Sequence, residues 1–67
     1  MNIEELGIEI ARLRTEKDIT QRQLAELSGI HYSNIAKLEK GQYNISYNKL
    51  MQVLSSLGCE LIISNKR

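Results

Sequence analysis

A mainly all-α fold, four short helices followed by one C-terminal β-strand, is what the sequence predicts, and three observations carry that prediction. Apolar residues recur at three- and four-residue steps through most of the chain, the spacing that lines one face of a helix. Asn2, Thr20, His31 and Ser46 stand just before these periodic segments, where a side chain can accept a hydrogen bond from the first helical turn. No proline interrupts the pattern, and the late run Cys59 to Ser64, CELIIS, carries adjacent isoleucines, a composition that favours an extended strand.

Each element can be justified in order. Asn2 and Glu5 have capping-box spacing, and Ile3, Leu6, Ile10 and Leu13 follow on one face, so a first helix runs to about Lys17. Thr20 and Gln23 repeat the box, with Ile19 before the cap facing Leu24 as a hydrophobic staple, which starts the second helix at Gln21. Leu24, Ala25 and Leu27 form its expected buried side, and Ala25 has to be small because the next helix crosses there. Gly29 ends this helix in a turn that needs positive φ. Ile30 follows as an apolar plug. Ile35 and Leu38 bury one face of the third helix, leaving Tyr32, Ser33, Asn34 and Lys37 to point outward. Gly41 ends it, residues 42 to 45 form a loop, and Ser46 caps a fourth helix that buries Leu50, Val53, Leu54 and Leu57 before Gly58 stops it.

Residues 20 to 41 therefore hold two short amphipathic helices hinged on one glycine, the arrangement in which one helix braces a second against a DNA groove. Gln21, Ala25, Gly29, Ile30, Ile35, Leu38, Glu39 and Gly41 resemble the helix-turn-helix of the Xre/Cro family of bacterial and phage regulators. The likeness spans roughly Leu6 to Leu57 and implies a lambda-repressor-like domain. It also implies roles. Gln21 is expected at a backbone phosphate, Tyr32, Ser33 and Lys37 at base edges, and Asn34 near a phosphate or the groove wall. Lys40 looks like a phosphate contact, with Tyr43, Asn44 and Ser46 as weaker candidates on the loop that follows. Arg14 and Glu39 match a partly buried salt bridge between the first and third helices of related repressors. His31 departs from the serine or threonine common at its position, and either caps through an imidazole nitrogen, the favoured reading, or reaches toward phosphate.

Charge agrees with this placement once its distribution is considered. The net formal charge is only +1. Residues 1 to 26 carry Arg12, Arg14, Lys17 and Arg22 against Glu4, Glu5, Glu9, Glu16, Asp18 and Glu26, whereas residues 27 to 67 carry Lys37, Lys40, Lys49, Lys66 and Arg67 against Glu39 and Glu60. The basic part contains the third helix and all three tyrosines, and such a weak excess of charge predicts modest nonspecific affinity.

The chain is read as a single domain over residues 1–67. At this size apolar burial leaves little net stability, which makes association an expectation. A lone strand also needs a partner, and no other segment has strand character. Residues 59–64 are therefore expected to pair with the same strand of a second copy. Here the sequence resembles HipB-type antitoxin repressors, a subgroup implied to dimerise in this way, and that likeness adds a toxin protein as an alternative partner. The main expectation is a homodimeric, sequence-specific regulator of double-stranded DNA that reads an inverted repeat through the major groove. The alternative is an antitoxin or protein-interaction module.

Other classes fit poorly. One histidine and one cysteine supply no zinc set, and Cys59 cannot form an internal disulfide, which suits a reducing cytoplasm. No cofactor motif, glycine-rich phosphate loop, paired carboxylates or nucleophile beside a base points to an enzyme. The acidic N-terminal segment lacks the basic start of a signal peptide, and no apolar run reaches membrane-spanning length.

Overall fold

The computed structural model describes residues 1–65; Lys66 and Arg67, counted in the basic part of the chain, lie outside the described residues. The elements run α1 (Ile3–Glu16), α2 (Gln21–Ser28), α3 (Tyr32–Glu39) and α4 (Tyr47–Ser56). Their starts are set locally. The Asn2 side chain accepts from the Glu5 amide at 2.8 Å while Glu5 accepts from the Asn2 amide at 3.1 Å, and Thr20 and Gln23 exchange the same pair at 3.0 and 2.8 Å. Ser46 Oγ accepts from the Lys49 amide at 3.3 Å. These are the donors that a helix start leaves without intrahelical partners. Between α1 and α2 the chain turns through Asp18 at φ +54°, a left-handed conformation that aspartate tolerates better than most residues.

The hinge between α2 and α3 is equally determined. Gly29 adopts φ +74°, where a Cβ would be strained, and its amide donates to Ala25 O at 3.0 Å. Ser28 is buried and its Oγ accepts from the Ile30 amide at 3.2 Å. Ile30 then inserts into the core beside Ile10, Leu24, Ile35, Leu38, Val53 and Leu57. Helix α2 packs on both α3 and α4, and α1 packs on α3. Helices α1 and α3 approach closely at Gly7, where an added Cβ would lie 2.4 Å from Leu38 O and 2.9 Å from Glu39 O. A residue without a side chain lets the two backbones meet there.

Two expectations are corrected. Leu27 is 62% exposed instead of buried, because Leu24 and Ser28 already fill the inward side of α2 and Leu27 falls past its edge. Residues 59–65 have no regular secondary structure, so the C-terminal strand is unsupported among the described residues. A strand exists through its ladder of hydrogen bonds, and among the described residues no second strand is present to supply one. The Cys59 amide instead donates to Leu54 O at 2.8 Å, and the Cys59 side chain packs against the core. No helix of the described residues is long and apolar enough to cross a membrane.

Candidate nucleic-acid interface

Glu39, the last residue of α3, ties this surface together. Its carboxylate accepts from Arg14 Nε at 2.6 Å, Arg14 Nη2 at 3.0 Å and Gln21 Nε2 at 3.0 Å, while Arg14 Nη1 donates to Ile19 O at 2.8 Å. One largely buried carboxylate thus joins α1, the start of α2 and the end of α3, and Arg14 extends the tie to the turn after α1. The side chains of Arg14 and Glu39 are only 14% and 7% exposed. Hydrogen bonding to Glu39 raises the Arg14 pKa above its ordinary value against the opposing effect of burial. A bidentate, shielded pair of this kind holds geometry well. Gln21, expected at a backbone phosphate, is also a brace for the end of α3.

The clamp presents α3 with its polar side outward. Tyr32, Ser33 and Lys37 are exposed, Asn34 is half-buried, and Ile35 and Leu38 anchor the opposite face. His31 caps the helix through its ring, with Nδ1 accepting from the Ser33 amide at 3.2 Å and lying 2.8 Å from Ser33 Oγ. Ser33 Oγ is therefore already engaged by the ring beside it. Lys40 is exposed at the C-cap, one turn beyond Lys37.

The remaining loop candidates lie differently. Tyr43 is half-buried and packs against the core, so its ring has a structural occupation. Asn44 is exposed but lines a cleft with Asn2, Ile3, Ile45 and Leu50, away from the cleft formed by Gln21 and Tyr32. Ser46 is used as the α4 cap.

One residue near this surface was not singled out by the sequence. Arg22 lies over the Tyr32 ring, with its guanidinium carbon 4.5 Å from the ring centroid. The two share a shallow cleft with Arg14, Thr20 and Gln21. A usable signal did exist, since an arginine in the first turn of a helix that has no acid there sits against the positive end of the helix dipole. The outer side of α1 contrasts with it. There Arg12 is paired with both Glu9 and Glu16, which raises the arginine's pKa and lowers that of Glu9. Those charges are spent on one another.

An α2–α3 pair hinged on a left-handed glycine, with the end of α3 fastened to α1 by a shielded ion pair, defines a helix-turn-helix domain. The sequence pattern of the helix-turn-helix family matches residues 10–63, and the chain belongs to this Cro/C1-type family of DNA-binding transcription regulators. It is 40% identical over 55 residues to an HTH-type transcriptional regulator of Haemophilus influenzae, covering 82% of this chain and 56% of that protein. It is 36% identical over 56 residues to the immunity repressor protein of Bacillus phage phi105, covering 84% of this chain and 39% of the repressor. The chain thus spans about half or less of the length of these two relatives. Among solved structures, the restriction-modification controller protein C.AhdI from Aeromonas hydrophila superposes with a TM-score of 0.85 at 33% identity, covering 87% of this chain and 88% of the controller.

Proposed function

We propose that this chain binds double-stranded DNA sequence-specifically as a homodimer and represses transcription by occupying an inverted-repeat operator. The observation that carries the reading is the outward side of α3, polar from Tyr32 to Asn34 and cationic at Lys37 and Lys40, with the end of the helix fixed by the Arg14–Glu39–Gln21 cluster. Such a surface has donors and positive charge for base edges and phosphates and little apolar area for a protein partner, which favours DNA over a toxin as its ligand. Lys37 is assigned to base acceptors together with Ser33 and Tyr32, Asn34 to the groove wall, and Gln21 and Lys40 to phosphates. Tyr43 and Asn44 are the weaker members, since one packs inward and the other lies in a different cleft.

Dimerisation is supported by a separate feature. Leu61, Ile62 and Ile63 are exposed, the last two by 75% and 91%, and pairing residues 59–64 with a second copy would cover them while giving the backbone a ladder. For a twofold dimer the two α3 helices would stand about 34 Å apart, one duplex turn, which sets the half-site spacing.

The test is selection of bound duplexes from a random pool, repeated with Lys37→Ala and Lys40→Ala. The first should relax base preference at particular positions, and the second should weaken all sequences about equally. Indifference to both substitutions would refute the assignment of α3.

A further inference from the structure

Arg22 is a cation at the positive end of a helix dipole, and no carboxylate among the described residues pairs with it. It is the second residue of α2, and neither α2 nor α3 carries an acidic residue in its first turn. Among the described residues it joins no ion pair, whereas Arg12 lies between two glutamates and Arg14 is held by Glu39. A cation at the positive end of a helix dipole is disfavoured by the fold's own field. What holds Arg22 is the Tyr32 ring, which fixes one face of the guanidinium and leaves its planar N–H edge open. That edge matches the spacing of two phosphate oxygens.

We propose that Arg22 contacts a backbone phosphate and that Tyr32 is its positioning residue, with the ring holding the guanidinium instead of reading a base. This rests on the DNA-binding reading above and changes the role of one of its residues. The aromatic ring is then required and its hydroxyl is not, and the two side chains act as a unit. An anion in the cleft would also neutralise the unfavourable field at the start of α2.

The experiment uses the full chain and a duplex recovered by selection, titrated over a series of salt concentrations beside a scrambled duplex. Arg22→Gln should weaken both duplexes about tenfold, the scale of one hydrogen bond to a charged group, and should reduce the logarithmic salt slope by about one. Tyr32→Phe should bind like the parent. Tyr32→Leu should lose part of what Arg22→Gln loses, and adding it to Arg22→Gln should cost nothing further. The proposal is overturned if Arg22→Gln leaves the salt slope unchanged, if Tyr32→Leu shifts the preferred bases, or if the two losses add in full. Should Tyr32→Leu fail to fold, the salt slope of Arg22→Gln decides alone. Lys37→Ala separates the two levels: if it relaxes base preference while Arg22→Gln is silent, only the Arg22 assignment falls. A parent protein that selects no duplex removes both.

Discussion

Between Gln21 and Lys40 the side chains left outside are mostly polar, while from Leu61 to Ile63 they are apolar. The difference lies in what stands behind each. The first region is fastened by two caps, a left-handed glycine and a shielded ion pair, so its shape does not depend on anything covering its exposed side chains. The second has no ladder and no regular structure in the described residues, and its large side chains remain 47 to 91% exposed. A braced polar surface can wait for a ligand at little cost, whereas an unbraced apolar one is stabilised only by what comes to cover it.

The largest test of this contrast is Glu39→Ala. It would leave Arg14 largely buried without its partner and release Gln21, so we expect a loss of about 3 to 5 kcal/mol in chemical denaturation. A loss below about 1 kcal/mol would show that water already screens the pair. Gly7→Ala comes next, because the new methyl would press on the α3 backbone, and a loss of about 1 to 3 kcal/mol is expected from such overpacking. Thr20→Ala should cost about 1 kcal/mol through the lost cap.

In the C-terminal run, Ile62→Asp with Ile63→Asp should leave the stability of the monomer within about 0.5 kcal/mol, as for other exposed positions. The same pair should shift sedimentation from dimer to monomer. A dimer that survives both aspartates would refute the proposed interface, and a large drop in monomer stability would erase the distinction between the regions. The smallest effect belongs to Leu27→Ala, expected below about 0.5 kcal/mol, although Leu24→Ala one turn earlier should cost about 2 to 5 kcal/mol.

How much was legible follows from the range of each interaction. The boxes of Asn2 with Glu5 and Thr20 with Gln23 span three residues, so their geometry follows once the helix starts. His31 as an imidazole cap, Gly29 as the hinge and Ser46 as the last cap were readable for the same reason. The Arg14–Glu39 pair, far apart in sequence, was legible only because the motif resembles a known arrangement. Gly7 carried no local signal, since its small size answers to a backbone brought in by α3. The pairing of Arg22 with Tyr32 was hidden because the two lie on different helices.

The sequence by itself determined where each helix begins, which of its sides is apolar, and that α2 and α3 are joined by a left-handed turn, because those are properties of neighbours within a turn or two. Only the tertiary structure decided that Leu24 is buried and Leu27 is not, that α1 and α3 meet at Gly7, that one carboxylate serves three segments, and that Arg22 rests on Tyr32. Periodicity identifies a face, but burial and pairing depend on which other element arrives against it.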